Sequence, residues 1–261
     1  MSSDVTLLSV TKSEWIKFRS VRSTIMGVLL TFALTLGLGA LITTAIRSQW
    51  HTVDPVRKLA FDAVSTSLGG TLFAQFAVGV IGTLFITSEY SSGSIRTTLA
   101  AVPNRLRLTT GKLIVLVVAM LVVCEVVCIT TFLMGQAIYS GVVPTVSLGS
   151  GAVLRSVLLA GVYLTLLAVL GFSLGLILRQ SAACISVFTS LLLVIPIVLF
   201  LLPQSWQNAM SRYMPSALGR AMMSTSPPEQ MFGAWTATGL LVVYVAVALA
   251  IGLTLLVRRD A

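Results

Sequence analysis

The chain has 261 residues, 56% of them from the set AVILMFWYC and only 10% charged. Soluble domains carry about 25% charged residues, so an ordinary water-soluble enzyme is excluded, and the same hydrophobicity excludes a disordered chain. Seventeen Lys and Arg against eight Asp and Glu leave a formal charge of +9. These cations fall between long apolar runs, as in membrane proteins, so the charge points to a bilayer and no nucleic-acid partner is expected.

The N-terminal stretch reads Val10-Thr11-Lys12-Ser13-Glu14-Trp15. Thr11 and Glu14 match a capping box, with Val10 and Trp15 as the hydrophobic staple. Trp15, Ile16 and Phe18 interleave with Lys12, Lys17 and Arg19. This predicts a short amphipathic helix over 11–20, its site residues Trp15, Lys17, Phe18 and Arg19 set at the lipid headgroups. A plain basic flank that orients the first span accounts for the charges alone.

A bilayer core takes about 20 apolar helical residues. Runs of that length, trimmed by turn residues, predict spans near 24–46, 67–87, 113–139, 156–178, 182–202 and 233–257. Backbone groups in lipid must be paired internally and no period-two barrel pattern occurs, so the fold class is an all-α integral membrane protein with six transmembrane helices. The 261 residues read as a single transmembrane domain. The first span begins too late, and runs too long, for a cleaved signal peptide. With the N-terminus inside, eleven Lys and Arg lie inside and six outside, which places both termini in the cytoplasm.

Between the first two spans, the segment from Gln49 to Asp62 holds Trp50, His51, Asp54, Arg57 and Lys58 and reads as a gate or a connector. The most informative connection follows the second span: Glu89-Tyr90-Ser91-Ser92-Gly93-Ser94-Ile95-Arg96-Thr97-Thr98-Leu99-Ala100-Ala101-Val102-Pro103. Ile95, Leu99 and Val102 recur at i, i+4 and i+7 and give a short helix with one apolar stripe, ended by Pro103. The stripe could anchor in a groove of a soluble partner, or the segment could be a bland loop.

In the third span Cys124, Glu125 and Cys128 share one helix. A metal would need further ligands, and only Cys184 and the distant His51 remain, so no metal site is expected. All three cysteines lie inside apolar runs and imply no disulfide framework. Glu125, near mid-span, costs on the order of 3 kcal/mol to insert. It should face the bundle, a cavity or a partner, either beside a transport route or in a structural contact with Thr130, Gln136 or a second protomer. Gly171-Phe172-Ser173-Leu174-Gly175 matches the GxSxG of serine hydrolases, but lies within a membrane helix without a His partner, and reads better as a GxxxG packing surface. Pro203, Pro215, Pro227 and Pro228 punctuate 203–230, which predicts short amphipathic pieces half-sunk at the outer surface.

Two of these segments, Ser13-Glu14-Trp15-Ile16-Lys17-Phe18-Arg19-Ser20 and Glu89 through Leu99, resemble those of type-2 ABC transporter permeases, close to actinobacterial versions. Length, span count and loop placement agree over essentially the whole chain. The resemblance implies that 11–20 is a connecting helix, that 90–102 is a coupling helix contacting an ATP-binding-cassette ATPase subunit, and that 203–230 is an outer re-entrant segment. Glu89, Gly93, Ile95, Arg96 and Leu99 would then serve coupling. It further implies a second permease copy or homologue as partner beside membrane lipid, and an amphipathic or lipid-like cargo: a drug, peptide antibiotic or lipid. The longer cytoplasmic extensions of polysaccharide exporters are missing here. No GxxxxGK[ST] occurs, since Gly111-Lys112 is followed by Leu113, so ATP and Mg²⁺ would be held by the partner and not by this chain. The rival readings are a stand-alone secondary transporter, which would want internal repeats and several intramembrane charges, a membrane enzyme, and a membrane scaffold.

Overall fold

A computed structural model describes residues 6–94, 104–228 and 230–258, and among these every regular element is a helix. They are α1 (Leu7–Ser20), α2 (Arg22–Gln49), α3 (Pro55–Leu59), α4 (Ala63–Ser67), α5 (Thr71–Ser91), α6 (Arg105–Tyr139), α7 (Gly151–Leu178), α8 (Ser181–Thr189), α9 (Ile195–Phe200), α10 (Gln204–Met210), α11 (Pro215–Met223) and α12 (Ala234–Arg258). A π-helical turn, Ser190–Val194, joins α8 and α9 into one rod. With that rod, α2, α5, α6, α7 and α12 make six segments long and apolar enough to cross a bilayer. The molecule is an all-α, multi-pass membrane protein.

Many hydroxyls inside the spans bond to their own helix, which keeps them satisfied in a hydrocarbon surround. The hydroxyls of Thr31, Thr35, Thr131, Thr165 and Ser173 each donate to the carbonyl four residues back. The most buried span is α7, which packs against α5, α6 and α12. Its contact with α5 is backbone on backbone. A β-carbon added at Gly82 would stand 1.8 Å from the Ala168 carbonyl oxygen, and one at Gly171 would stand 2.3 Å from that of Gly79. Thr83 Oγ1 donates to the Gly171 carbonyl across the same seam at 3.2 Å. Gly171 and Gly175 thus work as a close-packing surface, and Ser173 is buried among core residues.

Several boundaries differ from the expected ones. The second span starts at Thr71 rather than near 67, because residues 63–67 form the separate α4, capped by Asp62. The intervening Gly70 lies so close to the Thr35 carbonyl that a β-carbon would come within 2.1 Å of it. The third span starts at Arg105, two turns before 113, because Asn104 Oδ1 caps it by accepting from Arg107 N at 3.0 Å. The N-terminal helix begins at Leu7, with Thr6 as its cap, accepting from Ser9 N. The capping box read at Thr11–Glu14 is therefore wrong: Thr11 sits inside the helix and donates to Leu8.

At one end of the bundle lie α1, the end of α5 and the start of α6, where Arg105 also donates to the Leu256 carbonyl near the end of α12. We term this the terminal end. At the distal end Asp62 ties two connections together, capping α4 while accepting from Ser224 Oγ and Thr225 N at 2.9 and 3.0 Å. Trp50, Phe61 and Tyr139 stack edge-on beside it, so the 49–62 connection is folded onto the bundle. Within 203–230, α10 buries no residue, whereas α11 buries all but Arg220 and packs on α7 and α12. The half-sunk expectation fails for α11, which re-enters the bundle, with Gly219 pressed onto the Tyr163 ring.

Candidate functional site

The site is built where α1 meets α5 and α6. Residues at i, i+4 and i+8 of α1, namely Val10, Glu14 and Phe18, form its buried face. On α6 the stripe Leu108, Lys112, Val115 and Ala119 is buried, and Glu89 is buried in the last turn of α5. Helical spacing therefore delivers one carboxylate from α1, one from α5 and one ammonium from α6 to a single point.

Lys112 Nζ lies 2.6 Å from Glu14 Oε2 and 2.7 Å from Glu89 Oε1. Lys17, one turn beyond Glu14, closes the square at 2.9 Å from Glu14 Oε1 and 3.0 Å from Glu89 Oε1. Lys112 also stands 5.2 Å from the centroid of the Phe85 ring, which meets Phe18 edge-on at 5.4 Å. The two ammoniums and two carboxylates cancel, as a buried cluster must. Glu14 and Lys112 are each 1% exposed, while the Lys17 side chain is 39% exposed. Partial burial lowers the Lys17 pKa, but the bonds and charges of Glu14 and Glu89 outweigh it and hold the group above the usual lysine range.

One oxygen of this cluster, Glu89 Oε2, is buried without a hydrogen-bond partner. Beside it opens a cavity of about 530 Å³, lined by Glu14, Lys17, Thr24, Glu89, Ser92 and Lys112 among others. Immediately after the cluster α5 ends: Ser92 is the C-cap, and Gly93 takes φ +70°, the left-handed conformation that glycine adopts without strain. Tyr90 and Ser91 still belong to α5, so a coupling helix beginning at 90 is corrected. Ile95, Arg96 and Leu99 lie outside the described residues. Their segment is nonetheless flanked by Glu89 and Gly93 on one side and by Asn104 and Lys112 on the other.

Among the four N-terminal residues singled out from sequence, Phe18 is buried, Lys17 enters the square, and Trp15 and Arg19 face outward. Exposed Leu8, Trp15 and Ile16 share that outer surface with Lys12 and Arg19, which suits a helix lying at a lipid interface. Sequence reasoning missed Glu14 as an ion-pair residue and missed Lys112 altogether. The available signal was periodicity, since each charged residue falls on its helix's apolar stripe.

Glu125 belongs elsewhere, at mid-length of α6. Its carboxyl group rests against α7: a β-carbon built on Gly161 would meet its carbon and both oxygens at 2.5–2.7 Å. The expected contacts to Thr130 and Gln136 are not made. Thr130 donates to the Val126 carbonyl, and the Gln136 amide bonds Ser67 and the backbone of Val146. Cys124 and Cys128 are buried, free thiols in the core. At the distal end a second cavity, about 360 Å³, is walled by Ile42, Leu72, Met223 and Arg220. No protein-family model matches this sequence, and no curated protein matches it significantly.

Proposed function

We propose that this chain is the membrane-spanning permease subunit of an ATP-driven exporter of the type-2 ABC kind, seated in the cell membrane with both termini, and hence the terminal end, in the cytoplasm. The observation that carries the reading is the buried square of Glu14, Lys17, Glu89 and Lys112. It joins an interfacial helix to the two spans on either side of 95–103, the segment whose Ile95–Leu99–Val102 stripe suits docking in a groove. A push on that segment would reach α5 and α6 through their ends, and α1 through the salt bridges. Packed helices move as rigid bodies, so such a displacement is passed on as a shift of whole spans.

The sequence holds no phosphate-binding loop, so hydrolysis is assigned to a separate ATP-binding-cassette subunit that carries the ATP and Mg²⁺. Two permease copies, or this one and a homologue, would form a twelve-helix pathway with one ATPase on each. ATP-driven closure of the ATPase pair would favour the outward-facing arrangement of spans. The cargo is amphipathic or lipid-like, by resemblance to the family rather than by site chemistry.

Affinity purification of the tagged chain from its native membrane tests this. The reading expects an ATPase with Walker motifs to co-purify, and expects Ile95→Glu or Leu99→Glu to release it while the chain stays in the membrane. Recovery of folded protein with no such subunit, together with ion-gradient-driven transport by the chain alone, would support the secondary-transporter alternative.

A further inference from the structure

Glu125 is the one formally charged residue in the middle of the six apolar spans; no Lys, Arg or His lies between 24–46, 67–87, 113–139, 156–178, 182–202 or 233–257. It is half-buried in the α6–α7 seam, and its Oε2 is buried with no hydrogen-bond partner. Hydroxyls on the two helices of the seam are already committed: Thr130 donates within α6, and Thr165 donates to the Gly161 carbonyl on α7. Around the seam the surface is apolar and open, with Leu121, Val122, Val126 and Leu158 all exposed. An ionised carboxylate at this depth is costly unless a positive partner or a proton compensates it. A second copy of the chain brings no positive partner at the same level, because its spans are equally free of cations.

We infer that Glu125 is the recognition point for a lipophilic cation, an amphipath with a quaternary or protonated nitrogen that reaches the α6–α7 seam from the bilayer. The absence of a side chain at Gly161 leaves the space into which the carboxylate settles, and the surrounding valines and leucines receive the apolar body. This inference names the cargo class for the exporter reading and rests on it only for the fate of the bound molecule.

The test is equilibrium binding of tetraphenylphosphonium to the purified chain in lipid nanodiscs, without ATP or any ATPase, with the isosteric anion tetraphenylborate as comparison. The inference expects saturable binding of the cation only, weakened about tenfold or more in Glu125→Gln and weakened likewise in Gly161→Leu, which fills the carboxylate's seat. Gly161→Leu keeps every charge, so it carries the test if Glu125→Gln does not fold. Equal binding of cation by wild type and a folded Glu125→Gln, or equal binding of anion and cation, overturns the inference, as does an effect of Glu125→Gln confined to self-association. Binding as expected with no ATPase partner would instead defeat the exporter reading alone. A co-purifying ATPase with cation binding indifferent to Glu125 would defeat this inference alone.

Discussion

Lys112 on α6 and Glu14 on α1 are 98 residues apart in sequence and 2.6 Å apart in space, each 1% exposed. Such a pair specifies how an N-terminal helix lies against the bundle more than it adds stability. Replacing both charges by apolar groups can be neutral, whereas removing one leaves an uncompensated charge. We expect Lys112→Met to destabilise the protein by about 3–5 kcal/mol. We expect the Glu14→Gln, Lys112→Met double variant to be clearly less damaged than the sum of the two single changes. A double-mutant cycle on thermal unfolding in detergent checks this.

Lys17 closes the same square from the solvent side, so its worth is smaller, below about 1 kcal/mol. Its pKa is raised in the folded state. Its stabilisation is therefore fully present below the unfolded-state pKa and is lost as pH rises through the folded value. Lys17→Met should therefore lower stability across the neutral region by that amount, and a stability–pH curve should show the difference from wild type vanishing as pH rises through the folded-state lysine pKa.

Backbone contact between α5 and α7 makes Gly82 the most intolerant small residue of that seam. Gly82→Ala drives a methyl into the Ala168 carbonyl and should cost about 1–3 kcal/mol. Gly239→Ala on exposed α12 meets no atom within 4 Å and should stay within about 0.5 kcal/mol of wild type. Thermal unfolding of the two variants side by side makes the comparison.

At the exit from α5, Gly93 has open space around its α-carbon but a φ of +70°. Gly93→Ala should therefore cost about 1 kcal/mol through backbone strain alone. Gly93→Asn, a residue tolerant of that conformation, should recover much of it. If transmission from 95–103 requires this helix end, ATPase stimulation by cargo should follow the same order.

The spans were legible because apolar length in a bilayer leaves few alternatives. Gly171 and Gly175 were readable as a packing pair for a similar reason, since a serine hydrolase needs a turn and a histidine that a membrane helix does not provide. The charge square was not legible. Counting cations by side treats Lys112 like Arg105 or Arg107, although it alone faces the core. Thr11 and Glu14 at capping-box spacing suggested a local partner for Glu14, whereas its actual partner lies on another helix, and Thr6 supplies the cap. Mid-span Glu125 stood out as a lone carboxylate, yet its seat depends on Gly161 of the neighbouring span, a pairing that periodicity within one helix does not reveal.

The most direct measurement is cargo movement in proteoliposomes holding this chain and the ATPase subunit proposed to pair with it. The account predicts transport that requires ATP hydrolysis, persists when ion gradients are collapsed, and falls when the Glu14–Lys112 pair is broken. Transport by the chain alone, driven by an ion gradient and indifferent to ATP, would contradict it.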